Sequence, residues 1–184
     1  MNAYNYIKQN MRNSLKEKLI KWRKEGSIVK LDKPSDIGRA RNLGYKDKKG
    51  FVIVRVKLIR GGRKRAMTNK RRRTKRKTNR LTLKMNYRWI AEQRASNRYT
   101  NLEVLNSYEV AKDGQHYFFE VIMIDPARPE ITSDPNLKWI SRRENRGRAF
   151  RGLTSAAKKA RGLRSKSHEQ KVRPSLRAWN RRGK

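Results

Sequence analysis

The 184-residue chain is predicted to be an α+β protein: a small mixed or antiparallel sheet of about four strands packed with helices, carrying long basic extended arms. Three observations predict this. Phe51 to Ile59 alternates as a strand, with Val52, Val54, Val56 and Leu58 forming one wholly apolar face. Leu102 to Lys112 and Gln115 to Asp125 are two more runs of strand formers, joined by Asp113-Gly114, a strong hairpin signal. Between these strands lies Arg60 to Arg80, in which 12 of 21 residues are Lys or Arg and none is acidic.

Composition bounds the rest. The net charge is +36, from 51 basic and 15 acidic residues. Such a charge opposes compaction and favours polyanionic partners. Hydrophobic residues are only 35% of the chain, which predicts a small core with much unburied chain. There is no Cys, so disulfides and thiolate metal sites are excluded. No apolar run is long enough for a transmembrane helix, and the N-terminus lacks an apolar signal region. A soluble intracellular protein without a membrane partner is expected. Eight of the 15 acids fall between Trp89 and Leu137, beside four basic residues, whereas 17 basic residues and two acids follow from Lys138. The pattern reads as a near-neutral module with cationic segments attached.

In chain order, Tyr4, Ile7, Met11, Leu15, Leu19 and Trp22 mark one face of a basic amphipathic helix or helix pair within residues 1–26. Asn10, Asn13 and Ser14 are the weak point at which it splits, and Gly26 is the expected stop. Two of the apolar positions are aromatic and nothing else points to lipid, which argues against a membrane-surface role. Ser27 to Leu31 is a candidate edge strand. Pro34 and Ser35 open a short helix, Asp36 to Leu43, with Gly44 past its end. In the strand Phe51 to Ile59 the second face, Phe51, Ile53, Arg55, Lys57 and Ile59, turns from apolar to basic and is expected to leave the core. Leu83 to Asn97 reads as a helix with the stripe Trp89, Ile90, Ala91 and Ala95. On the hairpin, Phe119, Val121 and Met123 share one face of the second strand, and Val104, Tyr108 and Val110 one face of the first; the turn is expected to be type I′. Residues 27–137 thus form a body interrupted by the basic arm 60–80, and 138–184 a basic extended tail.

The arm holds only Ala66 and Met67 as apolar side chains and cannot bury a face in a core. A mid-chain segment of this kind points to nucleic acid. Its candidate contacts are Arg60, Gly61, Gly62, Arg63, Lys64, Arg65, Lys70, Arg71, Arg72, Arg73, Lys75, Arg76, Lys77 and Arg80, the glycines allowing close backbone approach. Arg39, Arg41, Lys46, Arg55 and Lys57 precede it. In the tail they are Arg142, Arg143, Arg146, Arg148, Arg151, Lys158, Lys159, Arg161, Arg164, Lys171, Arg173, Arg177, Arg181 and Arg182. Tyr45, Phe150 and Trp179 are aromatic candidates for stacking on bases or packing on the body. Phosphate-loop and dinucleotide motifs are missing. Asp113, Glu120 and Asp125 do not form a metal-binding set: Asp113 belongs to the turn, and Glu120 and Asp125 take opposite faces of a straight strand. Neither catalysis nor a cofactor is expected.

Three ordered blocks resemble large-subunit ribosomal protein fifteen of the archaeal and eukaryotic type (the ribosomal L15e family). The first is Arg41-Asn-Leu-Gly-Tyr-Lys with Phe51-Val-Ile-Val-Arg-Val and Arg60-Gly-Gly-Arg-Lys-Arg. The second is Leu105-Asn-Ser-Tyr, Asp113-Gly, Phe118-Phe-Glu-Val-Ile and Ile124-Asp-Pro. The third is Arg151-Gly-Leu-Thr-Ser-Ala, Lys158-Lys and Arg161-Gly-Leu. Ala157 and Ala160 stand where Gly is expected, and Glu109 where Trp is expected. The resemblance implies a non-enzymatic constituent of the large ribosomal subunit, located in the ribosome of the cytoplasm. It implies large-subunit rRNA and neighbouring ribosomal proteins as partners, with no small-molecule substrate, no metal of its own and no homo-oligomer. The hairpin face, Leu102 to Asp125, is the expected protein contact. The alternative is a DNA-compacting chromosomal protein, but no helix-turn-helix or dimerising helix is apparent. Without RNA, Arg60–Arg80 and Ser141–Lys184 are expected to be disordered.

Overall fold

The computed structural model describes residues 3, 5, 6, 9, 10, 14–64, 80, 81 and 85–164. Tyr4, Ile7 and Met11, and the arm and tail segments 65–79 and 165–184, lie outside them. The elements are α1 (Leu15–Lys24), β1 (Ile28–Leu31), α2 (Ile37–Asn42), β2 (Phe51–Ile59), β3 (Arg63–Lys64), β4 (Arg80–Leu81), α3 (Tyr87–Arg98), β5 (Glu103–Lys112), β6 (His116–Ile124), α4 (Pro129–Thr132) and α5 (Ser155–Ala160). Two 3-10 turns, Lys138–Ser141 and Arg143–Asn145, precede α5. The sheet order is β1-β2-β6-β5, antiparallel throughout, with β3 and β4 forming a separate two-stranded ribbon. The α+β expectation and its four-stranded sheet hold.

Each sheet face has its own cover. Val54, Val56, Leu58, Phe119, Val121 and Met123 pack with Ala91 and Ala95 of α3. The small side chains let the helix backbone approach the strands. On the other face Ile53 and Ile122 pack with Ala40 and Tyr45, and Phe118 with Trp22 of α1. Burying each large apolar side chain contributes roughly 1.5–3 kcal/mol. At the far end of β6, Ile124, Ile131, Leu137 and Ile140 form a third cluster.

Local chemistry sets the element ends. The Asp36 carboxylate accepts from Arg39 N at 2.9 Å and caps α2, and Gly44 (φ +99°) turns the chain after it. Asn86 Oδ1 accepts from Trp89 N at 2.8 Å, so α3 begins at Tyr87, later than the Leu83 read from sequence. Helix α1 ends at Lys24, two residues before Gly26: its cap Glu25 is already extended (φ −68°, ψ 164°) and the Glu25 carboxylate pairs with Arg55. Gly26 follows this cap directly, at the expected stop, and does so without a positive φ.

Four other expectations are corrected. Arg55 does not leave the core; it is 7% exposed, because α1 covers that face and supplies Glu25 as its partner. Val104 and Tyr108 do not share a face. A register shift between Val104 and Asn106 puts Val104 against α3 and Tyr108 in the opposite cluster. The hairpin turn is not type I′, since Gly114 lacks the positive φ. Instead Asp113 Oδ1 accepts from Gln115 N (2.7 Å) and His116 N, an Asx turn. Finally, residues 138–164 are not an extended tail. Ile140, Ala149, Thr154, Ala156 and Ala157 are all buried against the body, so the region from Ser141 to Arg164 takes up folded structure.

Gly50 has φ +93°, and a Cβ there would lie 2.8 Å from Ile131 Cγ1. Gly50→Ala is expected to cost about 1–3 kcal/mol, read as a lower midpoint in chemical denaturation. An unchanged midpoint would show that the Ile131 cluster can yield at no cost.

Candidate nucleic-acid interface

The basic arm leaves from the end of the sheet where Ile59 faces His116. Its root is held at several points. Arg60 N donates to Gln115 O at 2.7 Å, and the Arg60 guanidinium donates to Asp113 O and lies 4.9 Å from the Tyr117 ring centre. Gly61 (φ +110°) has open space around it, so the turn needs its backbone freedom and not its small size. The Tyr87 hydroxyl accepts from Gly61 N at 3.0 Å and donates to Gly61 O at 2.7 Å. The Tyr87 and Tyr117 rings sit 4.8 Å apart, tying α3 to the sheet at this point. The chain then pairs Arg63 with Leu81 and Lys64 with Arg80, so the arm departs as a two-stranded ribbon. Neither dipeptide carries a strand pattern, and sequence reading missed it.

The candidate cations fall into distinct environments. Arg65, Lys70, Arg71, Arg72, Arg73, Lys75, Arg76, Lys77, Lys171, Arg173, Arg177, Arg181 and Arg182 lie outside the described residues, as does Trp179. Arg63, Lys64 and Arg80 are placed by backbone only, in β3 and β4. Gly61, Gly62 and Arg41 are exposed. Arg55 is committed inside the body, paired with Glu25 and 4.4 Å from the Trp22 ring centre. Lys57 donates to Arg23 O (2.8 Å) and Glu25 O (2.7 Å), closing the end of α1. Lys46 joins Lys48 on Asp134, at 2.7 and 2.8 Å. The two ammonium groups hold the Asp134 carboxyl well below the usual carboxylate range.

Two arginines cover the outer edge of the sheet. Arg39 donates to Glu109 O at 2.8 Å, and Arg148 to Val104 O (2.6 Å) and Leu105 O (3.0 Å). Arg148 also lies 4.8 Å from the Trp139 ring centre. A free strand edge invites pairing with another chain, and these arginines block part of it. Arg151, Arg161 and Arg164 brace the C-terminal lobe through Arg146 O, Gly152 O and the Ser155 hydroxyl. Arg142, Arg143, Arg146, Lys158 and Lys159 are exposed, and among the described residues no carboxylate pairs with them. Phe150 stands among them, 46% exposed, whereas Tyr45 is buried against Phe51.

Three of the acids lie inside the body. Glu92 and Glu120 are fully buried and Glu103 nearly so. Glu92 accepts from the hydroxyls of Ser107 and Thr154. Arg88 donates to Ser107 Oγ at 2.8 Å and to Asn106 Oδ1 at 2.7 Å. Thr154 caps α5, so one carboxylate joins α3, β5 and the C-terminal lobe. Burial pushes the Glu92 carboxyl above its usual range, opposed by the two hydroxyls and by Arg88 and Arg148. Glu120 accepts from Ser35 N (3.1 Å), Ser35 Oγ and the Tyr108 hydroxyl; burial raises its pKa too. The hairpin is therefore not an open near-neutral face. β6 is central in the sheet, and its carboxylate is an internal anchor. The Glu92 network was missed because nothing in the local pattern separates this Glu from a solvated helix position. Ala157, at a position where Gly was expected, is buried in α5 beside α3, where a small side chain is required by packing.

Because the folded Glu92 holds its proton more tightly than the unfolded one, its contribution favours the native state at low pH and is lost as pH rises through the raised pKa. Glu92→Gln removes that dependence while keeping an acceptor for a hydroxyl. Its stability relative to the parent chain is expected to improve from acid toward neutral pH in denaturation series. Glu92→Ala leaves the Ser107 and Thr154 hydroxyls without their acceptor and removes the negative charge near Arg88, and is expected to cost about 3–5 kcal/mol. Parallel pH curves for Glu92→Gln and the parent would overturn the assignment.

A family model described as Ribosomal L15, of the L15e type, matches residues 2–179 of the 184. The match includes the arm, the sheet and the C-terminal lobe. Members of this family are structural components of ribosomes and not enzymes, with rRNA and other ribosomal proteins around them. Among the described residues no helix is long and apolar enough to cross a membrane. The chain belongs to the ribosomal L15e family and is a structural constituent of the large ribosomal subunit.

Proposed function

We propose that this chain stabilises the large subunit by binding large-subunit rRNA through the arm 60–80, the C-terminal lobe and the segment beyond it, acting as a single copy without catalysis. The carrying observation is the division of charge: Glu92, Glu103 and Glu120 are withdrawn into the interior, while Arg142, Arg143, Arg146, Lys158 and Lys159 face outward with no acidic partner among the described residues. Outward cations neutralise phosphates where RNA strands approach one another and release counterions, which makes binding salt-dependent. Arg55, Lys57 and Arg148 do not belong to the proposed contact set, because their donors serve the body. The ribbon β3–β4 aims the arm, and Gly61 and Gly62 leave its backbone open to close approach. Neighbouring ribosomal proteins complete the surroundings. No observation favours the DNA-compacting alternative.

Replacing Arg71, Arg72 and Arg73 by Ala is expected to weaken binding to an rRNA fragment and to lower the slope of log K against log salt by about two units. An unchanged slope would mean that the triplet faces solvent. In sucrose gradients of lysate the chain is expected to travel with the large subunit at both low and high salt. Release at modest salt, or sedimentation with chromatin, would overturn the reading.

A further inference from the structure

At the end of the sheet opposite the arm lies a cleft of about 250 Å³, lined by Lys30, Gly50, Val52, Tyr99, Asn101, Leu102, Asp125 and Arg128. Its walls are chemically divided. Val52, Leu102 and the half-buried Tyr99 ring supply an apolar surface, whereas Lys30 and Arg128 supply exposed cations. The exposed Asn101 amide carries both a donor and an acceptor. The one acid, Asp125, is already engaged: its Oδ1 accepts from Ala127 N at 3.1 Å and its Oδ2 lies 3.5 Å from Arg128 Nε.

The cleft is built on fixed backbone. Tyr99 N donates to Ala95 O at 3.0 Å and Leu102 N to Tyr99 O at 3.2 Å, which fixes the chain at the end of α3. Asp125 N donates to Gly50 O at 2.9 Å, and Arg128 N to Asp125 O at 3.3 Å. The volume is below the roughly 300–1,000 Å³ of sites for drug-sized ligands and suits one base with its sugar. A ring face, an amide for a base edge and two cations for a phosphate are the parts by which single-stranded RNA is recognised.

We propose that this cleft takes one unpaired nucleotide of RNA, its base against Tyr99, its edge on Asn101 and its phosphate between Lys30 and Arg128. The proposal rests on the rRNA-binding reading and extends it to the end of the body remote from the arm. The protein then grips RNA at both ends of its sheet.

The test is an NMR titration of the full chain with AMP, CMP, GMP and UMP, and separately with inorganic phosphate. Saturable shifts of the Tyr99 ring and Asn101 amide signals are expected with at least one nucleotide. Arg128→Gln, at an exposed position, and Tyr99→Leu are each expected to weaken that binding about tenfold. Tyr99→Phe should retain it. No shift with any nucleotide, or the same shifts from phosphate alone, would overturn the proposal. Ala at Arg71, Arg72 and Arg73 should leave this titration unchanged, so failure of the cleft and failure of the arm reading are separately visible. In assembled subunits, chemical probing should show one base gaining reactivity with Arg128→Gln; crosslinking of a neighbouring protein to Tyr99, with no base affected, would overturn it.

Discussion

A body in a chain of net charge +36 stays compact only if its cations point outward and its few anions hold the inside together. The structure meets this constraint with buried carboxylates. Glu92, Glu103 and Glu120 are withdrawn from solvent; Glu92 and Glu120 each accept from several donors, and Glu103 accepts from Gly147 N through one oxygen. Glu92 joins α3 to β5 and to the C-terminal lobe through Ser107 and Thr154. Glu120 joins β6 to Ser35 before α2 and to Tyr108 of β5. Removing one partner of such a group leaves a buried polar atom unsatisfied, so these anchors specify the arrangement more than they add net stability.

The same constraint sorts the cations. Arg55 and Lys57 are on one strand face, and that face is roofed by α1. The Arg55 guanidinium consequently lies between the Trp22 ring and the Glu25 carboxylate, and the Lys57 ammonium between the carbonyls of Arg23 in α1 and of its cap Glu25. Arg39 and Arg148 are spent on carbonyls at the β5 edge. Among the described cations that stay outward are Arg142, Arg143, Arg146, Lys158 and Lys159 of the lobe and Lys30 of the cleft, whereas the exposed Arg128 lies 3.5 Å from the Asp125 carboxylate. Apolar area holds the layers together, and polar pairing decides which cations are left for a partner.

The arm and the lobe share this logic through α3. Tyr87 at its start clamps Gly61, Trp89 Nε1 donates to Ala149 O at 2.6 Å, and Ala91 and Ala95 seat the helix on the sheet. One helix thus fixes the arm root and the lobe relative to the same four strands, so two cationic regions distant in sequence act from one rigid base.

Much of this was legible in the residues alone. The alternation of Phe51 to Ile59 gave a strand with those bounds, Asp36 and Gly44 bracketed α2, and Asp113-Gly114 marked the hairpin, because periodicity and turn chemistry are local properties. Charge and the ordered family blocks pointed to rRNA for the same reason: they are sums and patterns along the chain. Tertiary structure decided the rest. Composition made 138–164 look like a tail, yet Ile140, Ala149 and Ala157 find buried places on a body built much earlier in the chain. The fate of Arg55 depends on Glu25, and that of Glu92 on Thr154, pairings across 30 and 62 residues. The bulges of β5 moved Tyr108 to the face opposite Val104. Burial and pairing depend on neighbours that only the folded chain brings together, so the sequence determined the elements and the partner class, and the fold determined which cations are free to meet it.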